Sequence, residues 1–318
     1  MTVAPIELRL RQIRLEAENI CSFEFVPSGG GRLPSFKAGA HLELHLPGAL
    51  VRSYSLANAP GDHERYLVAV QRESDGRGGS AWMHDSLRVG QVVPAGMPVN
   101  DFELDESAEH SVFIAGGIGI TPVLSMVARL DSLNRSWRLH YASRSPDVTA
   151  FRETLSALDR GRGWVTHRFN SDESERLNID RLVGGADAHT HLYCCGPTRM
   201  IDAFVDAGRT RPKGTVHYER FAAAEAPAVE GGYTVVLHRS DRRVAVEAGK
   251  TLLDALLDEN VSVPYACSNG ICGTCMTRVI SGVPDHRDEF LSEEEKKAGN
   301  CMLVCCSGSK SPELVLDL

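Results

Sequence analysis

Six of the nine cysteines in this 318-residue sequence lie between positions 267 and 306. Cys267, Cys272 and Cys275 have the spacing C-x4-C-x2-C, and Cys305 follows after a gap of 29 residues. This spacing is the plant-type pattern for a [2Fe–2S] cluster, which needs four thiolates and takes three of them from one loop. The cysteine pattern therefore indicates an electron-transfer centre near the C-terminus.

A structural zinc site is the alternative for the same cysteines. Zinc sites usually use two short Cys pairs, and only Cys272 and Cys275 have that spacing here. Gly270 and Gly273 favour a loop that wraps closely around a cluster and turns its backbone N–H groups towards sulfur. Cys301 and Cys306 are the other candidates for the fourth ligand, but neither lies at the expected distance in sequence after Cys275. We interpret the remaining thiols as ordinary buried cysteines: Cys21, Cys194, Cys301 and Cys306.

Two features nearer the N-terminus have the chemistry of a flavin site. Residues 51–56 predict a strand with Arg52 and Tyr54 on one face, because side chains alternate with period two. An arginine beside a tyrosine can hold a phosphate while the ring packs on a planar cofactor. Residues 76–80 form a glycine-rich turn before a predicted helix, whose free N–H groups favour an anion. Neither feature is specific by itself, and plain barrel surface and an ordinary turn are the alternatives.

A third loop has the chemistry of a nucleotide site. Residues 115–122, AGGIGITP, follow a predicted strand and open a helix, with Thr121 as the expected N-cap and Pro122 as its first residue. The loop departs from the Rossmann fingerprint, since Pro122 replaces the third glycine and Ser143-Arg144 stands where an acidic residue is expected. The junction Cys195-Gly196-Pro197 would lie at the same sheet edge, where ligands bind. An ordinary strand-to-helix turn is the alternative.

The elements that position these groups follow from the hydrophobic pattern. Residues 6–100 alternate with period two between Gly/Pro turns, which predicts an antiparallel barrel or sandwich. From about residue 108, apolar strands run into helices, which predicts a doubly wound parallel sheet. After an Ala/Pro/Gly-rich linker, a hairpin and a short helix with Thr251 as N-cap precede the cysteine loop. The predicted domains are residues 1–104, 105–226 and 233–318, with a linker at 227–232.

Composition limits the classes of partner. Lys and Arg number 34 against 42 Asp and Glu, a net charge of −8, and no Lys/Arg-rich block is present. A nucleic-acid or anionic-membrane surface is therefore not expected. No apolar run approaches the roughly 18 residues that span a bilayer. Glu7, Arg9 and Arg11 stand where a secretory signal would be apolar. We expect a cytoplasmic, unprocessed protein.

Taken together and in this order, the motifs resemble those of phthalate dioxygenase reductase. They are Arg52-x-Tyr54-Ser55, Gly117-x-Gly119-x-Thr121-Pro122, Cys195-Gly196-Pro197 and the ferredoxin cysteine loop. That family includes the reductase components of vanillate O-demethylase and related Rieske oxygenases. The resemblance covers essentially the whole chain. It implies an N-terminal FMN-binding β-barrel, a middle NADH-binding α/β domain and a C-terminal β-grasp ferredoxin.

The resemblance also implies roles for the flavin residues. Arg52 would bind the flavin phosphate, Tyr54 would pack against the isoalloxazine ring, and Ser55 would lie near the reactive N5. The turn at Gly79 and Ser80 would take the FMN phosphate. FAD would need an adenine-binding surface that we do not identify, so FMN is the expected flavin.

For the nucleotide, the resemblance implies that the glycine loop binds the NADH pyrophosphate and that Cys195 lies near the nicotinamide. With Ser55 expected near the flavin N5, Ser55 and Cys195 are the candidate catalytic residues. Arg144 would favour a 2′-phosphate in other folds, but relatives use NADH with similar residues, and we expect NADH. Phe221 is a candidate cover for the flavin, with simple packing as the alternative. The expected nucleotide-binding residues are Gly117, Gly119, Thr121, Pro122, Arg144, Cys195, Gly196 and Pro197.

The expected function is transfer of electrons from NADH through FMN and a [2Fe–2S] cluster to a terminal Rieske oxygenase. Its substrate would be an aromatic acid or a methoxylated aromatic. Three alternatives stay open at this point. They are a reductase for a non-aromatic, carnitine-type oxygenase, a redox sensor that does not turn over NADH, and a zinc-stapled electron-transfer protein without a cluster.

Overall fold

A computed structural model of the chain describes residues 5–48, 50–73, 78–170, 176–222, 226–265 and 267–318. The chain divides into two compact units, Met1–Arg220 and Phe221–Leu318. The predicted boundary between the flavin and nucleotide domains lies inside the first unit, so the division into three domains stays a prediction. Gly76 and Arg77 of the predicted turn, and Ala223 and Ala224 of the linker region, lie outside the described residues. No helix in the described ranges is long and apolar enough to cross a membrane.

The first sheet is the predicted antiparallel barrel, with strand order β4-β3-β6-β1-β2-β5. In β3 the leucines are buried and the intervening polar residues are more exposed, as the alternation predicts. A bridge between Leu56 and Val68 connects the end of β4 to β5. Helix α1 adds Met83 to the barrel core. The elements are β1 Ile6–Ala17, β2 Ile20–Pro27, β3 His41–Leu46, β4 Leu50–Ser55, β5 Tyr66–Gln71, α1 Gly79–Asp85 and β6 Val92–Ala95.

The second sheet of the first unit is the predicted doubly wound sheet. Its order is β11-β10-β7-β8-β9, and every neighbouring pair is parallel. The order reverses between β7 and β10, so the carboxyl ends of these two strands form the crevice where such sheets bind ligands. The elements are β7 His110–Gly116, α2 Ile120–Ser132, β8 Ser136–Ser143, α3 Arg152–Asp159, β9 Val165–Phe169, α4 Ile179–Gly184, β10 His191–Cys195, α5 Thr198–Gly208 and β11 Val216–Glu219.

The second unit is a mixed sheet with a helix packed into its core, as expected for a β-grasp ferredoxin. The sheet order is β13-β12-β18-β14-β16, with β12 and β18 parallel. Thr251 caps α6 by accepting a hydrogen bond from the Asp254 N–H, which confirms the predicted N-cap. The elements are β12 Tyr233–Leu237, β13 Arg242–Val246, α6 Leu252–Asp258, β14 Met276–Ser281, β15 Pro284–Asp285, α7 Glu293–Ala298, β16 Cys301–Leu303, β17 Gly308–Ser309 and β18 Glu313–Leu316.

The predicted start of α2, with Thr121 as N-cap and Pro122 as first residue, is wrong. Residues Gly117–Gly119 form a 3-10 turn that runs directly into α2, which begins at Ile120. Because the chain is already helical before Thr121, that residue lies in the first turn and cannot have the extended backbone of an N-cap. Its hydroxyl instead donates to the Ile118 carbonyl at 3.0 Å.

Candidate functional site

The four predicted ligand cysteines form two pairs of thiols. Cys267 and Cys272 share a hydrogen bond, and so do Cys275 and Cys305. The hydrogen bond from Cys267 lowers the pKa of the Cys272 thiol, and the Asn269 N–H donates to Cys267 Sγ at 3.3 Å. Four cysteines in two pairs match a two-iron cluster, which can take one pair of thiolates on each iron.

The loop that carries these cysteines makes tight turns at two glycines. Gly270 and Gly273 have φ of 75° and 74°, a region that other residues rarely adopt, and they allow the loop its tight course. Cys306 also hydrogen bonds with its neighbour Cys305, but its Sγ donates to the Leu303 carbonyl at 3.8 Å. The residues therefore fit a [2Fe–2S] cluster.

Arg52 lies against the start of α1, as the flavin prediction requires. A Cβ added to Gly79 would lie 2.7 Å from both Cγ and Nε of Arg52, so the arginine lies directly against the first residue of α1. Gly78 precedes it with φ of 80°, and Ser80 Oγ accepts a hydrogen bond from the Glu73 N–H at 3.1 Å. A cationic side chain beside N–H groups at the start of a helix fits a phosphate. The residues therefore fit the phosphate end of FMN.

Tyr54 and Ser55 occupy the end of β4. Tyr54 packs against the barrel core, and burial raises its pKa to about 12, so its phenol stays neutral at physiological pH. Ser55 is buried and pairs with His41 of β3. The strand thus places a neutral aromatic and a small hydroxyl next to the arginine, in the predicted order. Their contacts with flavin stay predictions.

The glycine loop packs directly against the junction that follows β10. A Cβ on Gly119 would lie 2.3 Å from the Cys195 carbonyl oxygen and 2.7 Å from the Gly196 nitrogen. Gly119 is therefore needed where two backbones meet. Gly117, with φ of 53°, has open space where its Cβ would be, and this is the side from which a pyrophosphate can approach. The prediction that the two junctions share one sheet edge is confirmed, since β7 and β10 are parallel neighbours.

The other predicted nucleotide-binding residues differ in their exposure to solvent. Thr121 and Pro122 are buried in the first turn of α2, and their part in nucleotide binding stays a prediction. The Tyr141 hydroxyl donates to the Gly117 carbonyl at 3.1 Å and holds the loop from beneath. Arg144 is exposed directly after the last residue of β8, at the same edge. Phe221 is half-buried at the start of the second unit, and its role as a flavin cover stays a prediction.

Sequence reasoning missed Glu219, the last residue of β11. Its Oε2 lies 3.9 Å from Cys195 Sγ. Burial raises the pKa of Glu219 to about 8, and the charge of Asp101 adds to the effect. Burial also raises the pKa of Cys195 well above its usual range. Both groups thus hold protons near neutral pH at the ligand edge of the sheet. A carboxyl residue at the end of a strand was the only signal available, and no spacing singled it out.

Comparisons with known proteins agree with this geometry. An oxidoreductase NAD-binding domain matches residues 113–206, and a 2Fe-2S iron-sulfur cluster binding domain matches residues 235–309. Phenoxybenzoate dioxygenase subunit beta of Ectopseudomonas oleovorans is 48% identical over 100% of this chain and 98% of its own length. Vanillate O-demethylase oxidoreductase of Pseudomonas sp. strain HR199 is 41% identical over 98% of this chain and 100% of its own.

A solved structure extends the match to the fold. The structure of phthalate dioxygenase reductase, described as modular and as serving electron transfer from pyridine nucleotides to [2Fe-2S], has a TM-score of 0.86 to this chain. It is 39% identical and covers 99% of this chain and 98% of its own. These matches agree with the cysteine pairs and exclude the zinc-stapled alternative. The chain belongs to the phthalate dioxygenase reductase family and is an NADH-dependent oxidoreductase whose cofactors are FMN and a [2Fe–2S] cluster.

Proposed function

We propose that this chain supplies electrons to a terminal Rieske-type non-haem iron oxygenase, in a transient complex, and that the oxygenase acts on an aromatic acid or a methoxylated aromatic. The observation that carries the proposal is the match over nearly full length to relatives named as a dioxygenase subunit and an O-demethylase oxidoreductase. A cytoplasmic location stays a prediction from the N-terminal sequence.

In the proposed flavin site, Arg52 and the N–H groups at Gly79 and Ser80 hold the FMN phosphate. The contact between Arg52 and Gly79 supports this assignment, because it brings a cation to the start of α1. Tyr54 packs against the ring system as a neutral aromatic wall, since its pKa of about 12 keeps the phenol protonated. Ser55 lies one residue further along β4 and would lie near N5, as the resemblance implies.

In the proposed nucleotide site, the open side of Gly117 receives the pyrophosphate. Gly119 keeps the loop close to Cys195, and Gly196 and Pro197 lead into α5 at the same edge. Because the two junctions are in backbone contact, the pyrophosphate site and the nicotinamide site are fixed relative to each other. Arg144, exposed at the end of β8, lies towards the ribose end of the nucleotide.

The bound FMN converts the two-electron chemistry of NADH into the one-electron chemistry of the cluster. The protein positions the cofactors and sets the charge of the groups around them. Cys195 and Glu219 present a thiol and a carboxyl that both hold protons near neutral pH, so these two groups bring no fixed negative charge to the nicotinamide. In the second unit, Cys267, Cys272, Cys275 and Cys305 hold the cluster.

The names of two further relatives indicate the functions that compete with this proposal. Tetrachlorobenzoquinone reductase of Sphingobium chlorophenolicum is 43% identical over 99% of this chain, and its name describes reduction of a quinone. A tert-butanol monooxygenase / tert-amyl alcohol desaturase reductase subunit of Aquincola tertiaricarbonis is 35% identical over 98% of this chain. We favour an aromatic oxygenase system because the 48% and 41% identical relatives are named for aromatic substrates.

The test is reconstitution under anaerobic and then aerobic conditions. NADH should bleach both the flavin and the iron–sulfur absorption, and the reduced protein should reduce the purified oxygenase component of a vanillate O-demethylase or a phenoxybenzoate dioxygenase. Aromatic product should then form in proportion to NADH. The Cys305→Ser variant is the control, since it should keep NADH-dependent ferricyanide reduction and lose oxygenase reduction. Rapid reduction of tetrachlorobenzoquinone with no reduction of either oxygenase component would overturn the proposal.

A further inference from the structure

The loop of residues 267–275, called here the cluster loop, reaches the surface at one corner, beside Cys272. Among the four ligand cysteines, Cys267, Cys275 and Cys305 are buried and Cys272 is not. Thr274, whose Oγ1 lies 3.3 Å from Cys272 Sγ, is exposed. An electron that leaves the cluster for another protein therefore has its shortest route to the surface beside Cys272.

An aromatic ring lies at this corner. A Cβ added to Gly273, the residue after Cys272, would lie 2.3 Å from Phe290 Cζ, so the Phe290 ring packs on the backbone of the cluster loop. The ring atoms nearest to Gly273 are Cζ, Cε2 and Cε1, and the residue as a whole is 48% exposed. Met276 flanks the same glycine, because its N–H donates to the Gly273 carbonyl at 2.9 Å, and it is 51% exposed. The corner thus carries two large apolar side chains.

Phe290 is held in this exposed position by its neighbours. The Glu289 N–H donates to the Gly270 carbonyl of the cluster loop at 3.0 Å. On the other side, the Leu291 N–H donates to the buried carboxylate of Asp288 at 2.9 Å. These hydrogen bonds hold the backbone on both sides of Phe290, so its ring stays at the surface in one position. Exposed apolar side chains that lie beside the same loop can form part of an interaction site.

The segment around Phe290 is acidic. Residues 285–298 contain six Asp or Glu and three Lys or Arg, a net charge of −3. Glu295 is used in the cap of α7, where it accepts from Ser292, whereas Glu293 and Glu294 are exposed in the first turn. An apolar centre with a charged rim is the usual anatomy of a transient interface, and the rim charge steers the encounter.

We propose that the surface formed by Phe290, Met276, Glu293 and Glu294, called here the exit face, is where the terminal oxygenase docks. The inference rests on the proposed function and deepens it. The complementary surface on the oxygenase is an apolar pocket with Lys or Arg at its rim. The exposed part of Phe290 contacts that surface, and one electron passes from the cluster, which is oxidised, to the oxygenase iron centre, which is reduced. Bringing the partner to Cys272 makes this transfer distance short.

The test compares Phe290→Ala with Val283→Ala in the full-length protein. Val283 is 55% exposed and follows β14, so that strand separates it from Cys275, and it serves as the matched control. The acceptor is the purified oxygenase component of the Pseudomonas vanillate O-demethylase. We expect Phe290→Ala to raise the KM for this acceptor about tenfold or more, the size typical of a truncated aromatic anchor. NADH-dependent ferricyanide reduction and iron content should stay at the wild-type value, and Val283→Ala should change neither.

A second variant keeps the test independent of the ring packing on the loop. The double substitution Glu293→Gln and Glu294→Gln leaves the cluster loop untouched, and it should raise the same KM at low salt and flatten its dependence on salt. If Phe290→Ala and the double variant both match Val283→Ala, the exit face is wrong. If Phe290→Ala instead slows reduction of its own cluster by NADH, the occupant is the flavin-bearing unit of the same chain, and the proposal is overturned. If the wild-type protein with both cofactors reduced fails to reduce the oxygenase, the proposed function fails together with this inference.

Discussion

Replacing Gly79 with alanine tests whether Arg52 holds the flavin phosphate. The new methyl group would lie 2.7 Å from Arg52 Cγ and Nε, whereas non-bonded carbons prefer about 3.5–4.0 Å, so the side chain must move by about 1 Å. Gly79 is the first residue of α1 and does not have a positive φ. The methyl group therefore adds no backbone strain, and alanine favours a helix over glycine by about 1 kcal/mol. The substitution displaces a cation without weakening the fold.

The expected loss of affinity follows from the lost contact. A hydrogen bond to a charged group contributes about 1.5–3 kcal/mol, which corresponds to a rise of about ten- to hundredfold in the Kd for FMN. The Kd is measured by adding FMN to the flavin-free protein and following the quenching of flavin fluorescence. Thermal melting of the flavin-free protein should show a free energy of unfolding that is unchanged or higher for Gly79→Ala.

A double-mutant cycle tests whether the new methyl group weakens FMN binding only by displacing Arg52. If the methyl group acts only by displacing Arg52, then Gly79→Ala should change the Kd for FMN less than about twofold when Arg52 is already alanine. An equal loss of affinity in both backgrounds would refute the reasoning, because the methyl group would then act on the phosphate directly. An unchanged Kd with Arg52 present would refute it as well.

Three further predictions address the other sites. Cys305→Ser should abolish the iron–sulfur absorption, while Cys301→Ser should keep it; iron content and the visible spectrum decide, and loss in both variants would contradict the ligand assignment. Glu219→Gln should gain stability relative to the wild type as pH rises from about 5 to 8, because the raised pKa of Glu219, about 8, means that the folded wild type loses stability across this window. Thermal melts at several pH values test this, and a constant difference would count against it. Arg144→Ala should lower kcat/KM for NADH less than about threefold, since the side chain is exposed at the sheet edge; a tenfold loss would show that Arg144 holds the nucleotide directly.

Much of the fold could be predicted because its elements carry local patterns. The alternating leucines of β3 face the barrel core, as period two requires once one face is buried. Thr251 caps α6 because its side chain and that of Asp254 can satisfy each other's backbone N–H within one turn. At α2 the same reasoning was wrong, since the glycine loop is itself helical and Thr121 falls inside the helix.

The sequence by itself predicted the cluster. Three of its ligands lie within nine residues of one loop, and their spacing is the plant-type pattern. Only the tertiary structure decided the contacts between distant segments: Arg52 against Gly79, Gly119 against Cys195, Glu219 beside the Cys195 thiol and Phe290 against Gly273. Each of these depends on which strands are neighbours and on where the loops between them close. Local periodicity does not encode that information, because the same alternation is compatible with many orders of strands in a sheet.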